Sequence, residues 1–364
     1  MRRALELAER GWGRVSPNPM VGAVVVRDGV VVGEGYHAEW GGPHAEVEAL
    51  EAAGERCRGA TLYVTLEPCH HSGRTGPCSQ AINDAGIARV VWGAAETNPE
   101  AAGGGAWLRE QGIEVEAGVC AVEASDLNAV HHNAYRGRRP FLALKYAMSL
   151  DARLAEAPGA STQLTAGEAI VEAHRLRAGH EAVMVGIGTV LADDPLLTVR
   201  EWDVPRVPPV RVVLDSGLRL PAVSRLAITA KEVPVWVFAA EDAPAERMQR
   251  LAAAGIEVVP APRLPTSEGL DLGAVLALLW KRGVRSILCE GGGKLGSALL
   301  AAGLVDRVYG FVAPVILGEP GVPAFQGGRG LAARDWRIIR RSEFGPATLL
   351  VLAPESEGAR GMHG

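Results

Sequence analysis

The chain has 364 residues, 48% of them hydrophobic, five cysteines and a net charge of −5, which is enough apolar side chain for two packed domains. Residues 1–140 hold 13 basic and 18 acidic side chains and the remainder holds 24 of each, so neither half has the basic excess of a nucleic-acid binder. No apolar run approaches a membrane span, and an odd number of cysteines points to a reducing, cytoplasmic setting rather than a disulfide framework.

Residues 2–10 open the chain as an amphipathic helix without the apolar core of a signal peptide. Residues 21–26 and 30–33, joined through Asp28-Gly29, read as a β-hairpin. Residues 45–53 (AEVEALEAA) are strongly helix-forming. Strand 60–66 and helix 78–85 follow, then strands 89–94 and 113–117 and a helix near 122–135. Strand–helix alternation of this kind predicts a three-layered α/β sandwich with a mixed sheet.

Three residues on these elements carry metal chemistry. His44 precedes the first internal helix, Cys69 follows strand 60–66, and Cys78 opens the next helix. One imidazole and two thiolates are three of the four ligands of a tetrahedral zinc, with the fourth place left for water as in catalytic sites. Glu46, two residues after His44, suits a proton carrier rather than a ligand. This is the His-x-Glu…Pro-Cys order of zinc deaminases, although eight residues rather than two separate the cysteines. Cys57, Cys120 and Cys289 read as packing residues.

Residues 136–140 (RGRRP) form the expected linker. Beyond it, strands are expected at 141–147, 182–185, 210–214, 235–239, 256–259, 286–289 and 307–312. Helices are expected at 167–177, 243–254, 272–282 and 294–302. Two glycine turns, at 186–188 and 291–293, each follow a strand and precede helical residues, where backbone N–H groups can meet phosphate. Neither is the Gly-x-Gly-x-x-Gly fingerprint. Lys145 stands in an apolar strand, and the chain has only four lysines against 33 arginines. A lysine there points to a need for a compact ammonium.

Over its whole length the chain resembles the bifunctional deaminase–reductase family of riboflavin biosynthesis. The first half carries Asn18-Pro19-Met20-Val21-Gly22, His44-Ala45-Glu46 and Glu67-Pro68-Cys69-His70-His71-Ser72-Gly73-Arg74-Thr75-Gly76-Pro77-Cys78, whose eight-residue spacing is the family's own. The second half carries Lys145, Ser149-Leu150-Asp151, Val185-Gly186-Ile187-Gly188-Thr189, Asp193-Asp194-Pro195, Leu197-Thr198-Val199-Arg200 and Glu290-Gly291-Gly292.

The tail at 355–364 reads from the sequence itself as disordered. The resemblance implies a cytidine-deaminase-like three-layer α/β/α domain at 1–139 and a dihydrofolate-reductase-like α/β domain at 140–354. It implies hydrolytic deamination of a diaminopyrimidinone ribotide with one zinc per deaminase domain, then reduction of the ribosyl group by NADPH. The protein is expected to be a homo-oligomer acting on a small molecule. His44, Cys69 and Cys78 would hold zinc, and Glu46 would move protons. Asn18, His71, Arg74 and Asn98 would contact the first substrate, with His70 the weaker of its pair. Lys145, Ser161, Asp193, Leu197, Arg200 and Glu290 would contact the second. Thr165, Gly186, Gly188, Thr189, Gly291 and Gly292 would face the cofactor. Asp151 and Asp193 both remain candidates for the acid that assists sugar reduction. Two departures stand out: the family's Asp-Gly-Arg is Asp151-Ala152-Arg153, and its Trp-Ile-Thr-Ser is Gln163-Leu164-Thr165-Ala166. An active deaminase with a weak reductase is the alternative they allow.

Overall fold

A computed structural model describes residues 1–71, 76–264, 269–326 and 335–355. The chain divides into two compact units, Met1–Gly137 and Arg138–Gly364.

In the first unit the elements are α1 Arg2–Ala8, β1 Gly22–Arg27, β2 Val30–Tyr36, α2 Ala45–Ala53, β3 Thr61–Leu66, α3 Cys78–Asp84, β4 Arg89–Ala94, α4 Gly104–Glu110, β5 Glu114–Ala117, α5 Ala121–Leu127 and α6 Ala129–Arg136. They build a sheet of order β2-β1-β3-β4-β5. β1 is antiparallel to β2 and β3, and β3, β4 and β5 run parallel. Alternate β1 side chains point to opposite faces. Ala23 and Val25 pack with Ala45 and Ala49 of α2, whereas Val24 packs with Ala4 and Leu7 of α1. Helices therefore cover both faces, as the alternation predicts.

Two details depart from the expected elements. The helix expected at 122–135 is broken at Asn128, whose amide is hydrogen-bonded to Met20 instead of continuing a helical surface. Helix α4 was not expected, because its Gly104-Gly105 start is a poor helix former. Glycine is needed there for close approach: a Cβ on Gly105 would lie 1.9 Å from the Trp92 ring.

In the second unit the elements are β6 Phe141–Ser149, β7 Arg153–Ala155, α7 Glu168–Ala178, β8 Ala182–Gly186, α8 Ile187–Asp193, β9 Val210–Leu214, α9 Arg225–Ile228, β10 Val235–Ala240, α10 Ala245–Ala253, β11 Glu257–Ala261, α11 Leu272–Lys281, β12 Ser286–Cys289, α12 Gly293–Ala301, β13 Arg307–Ala313, β14 Val322–Pro323, β15 Trp336–Phe344 and β16 Ala347–Pro354. The main sheet runs β11-β10-β9-β8-β12-β6-β13-β16-β15. It is parallel from β11 to β13 and antiparallel at β16 and β15.

Period-two burial again sets the layers. Met184, Val212 and Phe238 face Val275, Leu276 and Leu279 of α11, whereas Val183, Val213 and Val237 face Leu226 of α9 and Leu251 of α10. Strand β12 returns between β8 and β6, so the chain's direction of travel across the sheet reverses there. The carboxyl ends of strands at such a reversal are where open α/β sheets bind ligands.

Ala152 adopts φ 57°, the left-handed region that favours glycine. This is the position where the related pattern has glycine. Ala152→Gly is accordingly expected to stabilise the second unit by about 1 kcal/mol, read as a rise of about 2–4 °C in its melting temperature.

Candidate functional sites

The first site forms where β3 ends between two helix starts. His44 is the residue before α2, in extended conformation (φ −76°, ψ 156°), and Cys78 is the first residue of α3. Cys69 lies just beyond β3. The His44, Cys69 and Cys78 ligand atoms all lie within 4.8 Å of one another. His44 Nδ1 is 3.1 Å from Cys78 Sγ and 3.6 Å from Cys69 Sγ. Tetrahedral zinc with bonds of about 2.0–2.3 Å places nitrogen–sulfur edges at about 3.5 Å, so the three residues fit that ion. The Cys78 N–H donates to Cys69 Sγ at 3.4 Å, and two helix N-termini converge on the thiols, which favours thiolate.

Electrostatics here are strongly perturbed. The hydrogen bond from Cys78 holds the Cys69 thiol far below its usual range, with help from His44, and the same bond pushes Cys78 up. Burial, reinforced by Cys69, raises the Glu46 carboxyl to about 7. Glu46 is 4% exposed, an unusual place for a carboxyl that lacks a function.

His44, Glu46 and Cys69 open onto a cavity of about 310 Å³ whose wall includes Asn18, His71 and Asn98. Asn18 is held from behind. His37 Nδ1 donates to Pro43 O at 2.8 Å, which leaves Nε2 to accept from the Asn18 amide at 3.1 Å. His71 Nδ1 is buried and has no hydrogen-bond partner among the described residues. His70 is exposed; its Nδ1 lies 2.8 Å from Ser79 Oγ and its ring stacks on Trp107. Arg74 lies outside the described residues.

Sequence reasoning passed over His37, Glu96, His131 and Tyr135 and gave no role to Glu67 of the quoted motif; all five also line this cavity. The adjacent histidines 131 and 132 on an expected helix were the available signal. Glu67 ties three elements together, accepting N–H bonds from Gly105 at 3.2 Å and Glu96 at 3.4 Å. A Cβ on Gly104 would stand 1.9 Å from Pro68 O, directly before Cys69. Gly104→Ala is therefore expected to displace Cys69 and weaken zinc binding by about 10–100-fold, measured by competition with a chromogenic chelator.

The second site lies at the reversal of the other sheet. Glu290 follows β12, and its carboxylate accepts from Arg177 Nε at 2.5 Å and Nη2 at 3.0 Å, with Lys145 Nζ 3.7 Å away. Burial alone would raise Glu290, but Arg177 and Lys145 outweigh it and hold the carboxyl at about 2. Burial lowers Lys145 from the usual lysine range. Arg177 Nη1 also donates to Thr198 O at 3.0 Å, beside Leu197 at φ 56°. The Arg200 N–H donates to His174 Nδ1 at 3.0 Å, and burial holds that imidazole at about 4, hence neutral.

The two glycine turns meet. Gly186 ends β8, Gly292 precedes α12, and the Gly292 N–H donates to Thr189 Oγ1 at 3.1 Å. Gly188 has open space where a Cβ would stand, and Gly291 lies between Glu290 and this turn. Asp193 is exposed at the end of α8, Ser161 is exposed, and Thr165 is half-buried outside regular structure. Asp151 accepts from Ser149 Oγ at 2.6 Å, Leu317 N at 3.1 Å and Gly318 N at 2.8 Å. The Ser149 bond and those backbone bonds hold it at about 2, so it is an anchor for residues 317–318 and a poor proton donor. Arg177 and His174 are the cluster members that sequence reasoning missed.

Residues 1–94 match the cytidine and deoxycytidylate deaminase zinc-binding region, and residues 140–350 match the RibD C-terminal domain. The chain is 42% identical over 320 residues to riboflavin biosynthesis protein RibD of Aquifex aeolicus, covering 88% of this chain and 87% of that one. The chain belongs to the RibD family. It is also 39% identical over 360 residues to the RibD of Bacillus amyloliquefaciens, with 98% and 95% covered. Among solved RibD-type structures, a diaminohydroxyphosphoribosylaminopyrimidine deaminase/5-amino-6-(5-phosphoribosylamino)uracil reductase of Thermotoga maritima superposes with a TM-score of 0.78 at 36% identity, covering 98% and 97%. As in other RibD chains, a zinc-binding deaminase region is joined to a RibD C-terminal domain, and the His44–Cys69–Cys78 triad falls within the first. Among the described residues no helix is long and apolar enough to cross a membrane.

Proposed function

We propose that this RibD-family chain catalyses two consecutive steps of riboflavin biosynthesis. The first hydrolytically removes the 2-amino group of 2,5-diamino-6-ribosylamino-4(3H)-pyrimidinone 5′-phosphate. The second reduces the ribosyl group to ribityl with NADPH. The convergence of His44, Cys69 and Cys78 beside a buried carboxyl carries the first assignment.

In this reading residues 1–139 form the deaminase. His44, Cys69 and Cys78 hold zinc, which when bound supplies the Lewis acidity that brings water's pKa to about 7. Glu46 takes a proton from water and returns it to the departing amine. Asn18, His71 and Asn98 orient the pyrimidine and ribose, and Arg74 takes the phosphate, for which a guanidinium offers paired donors.

Residues 140–354 form the reductase. Lys145, Leu197, Arg200 and Glu290 position the sugar phosphate, with Ser161 as a further phosphate contact. The joined turns at Gly186, Gly188, Thr189, Gly291 and Gly292, with Thr165, receive the cofactor. Hydride transfer needs no protein nucleophile; the residues align the two reactants. With Asp151 held ionised by its acceptor bonds, Asp193 is the acid that this reading keeps. The protein acts in the cytoplasm as a homo-oligomer, and light scattering of the purified chain should give a mass above 38.2 kDa.

Ammonia release and NADPH oxidation followed together on the ribotide test both steps. NADPH consumption should begin only after ammonia appears. Ammonia without NADPH oxidation would instead support a weak reductase, the outcome that the left-handed Ala152 favours. Absence of both signals from zinc-loaded protein would overturn the reading.

A further inference from the structure

Residues 128, 131, 132 and 135 recur at helical spacing on and just before α6, so they share one face. Each reaches a segment of the first-unit cavity. Asn128 clamps Met20, accepting its N–H at 2.8 Å and donating to its carbonyl at 2.8 Å, two residues from Asn18. His132 Nδ1 lies 3.1 Å from Thr97 Oγ1. His131 Nε2 lies 2.9 Å from Glu96 Oε1, and the Tyr135 ring packs edge-on against His131.

Glu96 Oε1 also accepts the N–H groups of Thr97 at 2.6 Å and Asn98 at 2.7 Å. One oxygen thus gathers three donors and folds the 96–98 turn about itself. A carboxylate only accepts, so His131 must present its proton at Nε2. The two side chains are 7% and 5% exposed, which shields this bond from competing water. Glu67, the residue after β3, receives the Glu96 N–H at 3.4 Å on the other side, so the turn is gripped from both the end of β3 and α6.

We propose that His131 is a positioning residue for deamination: through Glu96 it holds the 96–98 turn so that Asn98 meets the bound ribotide. The inference rests on the deaminase reading. Among the described residues no hydrogen bond or ring contact joins His131 or Glu96 to the zinc ligands or Glu46, so the contribution of His131 falls on substrate affinity and not on the chemical step.

His131→Phe keeps the ring contact with Tyr135 and removes the donor, whereas His131→Gln keeps an amide donor. His131→Phe should raise KM for the ribotide about tenfold with kcat within about twofold, and His131→Gln should recover most of the loss. In the Glu46→Gln background, calorimetric affinity for the same ribotide should weaken by the same factor when His131→Phe is added. Unchanged KM and affinity, a fall in kcat at constant KM, or no recovery with His131→Gln would each overturn the proposal. Should His131→Phe fail to fold, His131→Asn, too short to reach Glu96, carries the same expectations. A wild-type protein that binds the ribotide without releasing ammonia would sink the deaminase reading alone, because the affinities still judge His131. One that neither binds nor turns it over would sink both.

Discussion

Glu46→Gln should lower ammonia release by about 10²–10⁴-fold while the protein keeps one zinc per chain. The amide preserves the size of the side chain and removes its capacity to accept and return a proton. The metal stays because its three ligands lie on other residues, gathered within 4.8 Å by β3 and the starts of α2 and α3. Stability should not suffer, since Glu46 is buried and burying a neutral amide is cheaper than burying a charge. Reduction of separately supplied deaminated ribotide should be untouched, because the Glu290 cluster belongs to the other unit. Ammonia assays, metal analysis and single-step NADPH oxidation on one preparation separate these effects. Loss of zinc in the variant would recast Glu46 as a ligand, and retained deamination would remove it from the chemistry.

The metal triad was legible because its residue types are scarce. Five cysteines and nine histidines in 364 residues make an ordered His-x-Glu…Cys…Cys set conspicuous. Lys145 was legible for the same reason, as a rare lysine in an apolar strand, and the structure gives it Glu290 as a neighbour. Arg177 was not, because one arginine among 33 carries no signal until the fold brings α7 against the end of β12. Elements with clean periodicity were readable to within a residue or two, as at β9 and α2. Helix α4 was hidden by glycines that tertiary packing requires. The β15–β16 hairpin was missed because Arg340, Arg341, Ser342 and Glu343 make β15 look like exposed connecting chain; its strand character comes from pairing with β16. The pairing of Glu96 with His131 was not legible because they are 35 residues apart, and only the packing of α6 against the 96–98 turn joins them.

Glu290→Gln should cost the second unit about 3–5 kcal/mol and abolish NADPH oxidation, whereas Lys145→Met should abolish oxidation at much smaller cost to stability. Among the described residues Glu290 is the negative group that faces both of these part-buried cations, accepting twice from Arg177 and standing 3.7 Å from Lys145. Removing its charge strands both cations in a site where burial already lowers Lys145. Removing Lys145 still leaves Glu290 satisfied by the two-point Arg177 contact. The sign of the pH effect follows. Glu290 is held at about 2 when folded, against about 4.3 for an unfolded glutamate. Its contribution is therefore complete above about pH 4.3 and is lost as pH falls toward 2. Denaturant melts of wild type and both variants at pH 7 and pH 3 read this directly, with the gap between wild type and Glu290→Gln narrowing at the lower pH. A gap that stays constant would mean that Glu290 stabilises by shape and hydrogen bonding alone. Equal destabilisation by both variants would make Lys145, and not Arg177, the partner that matters.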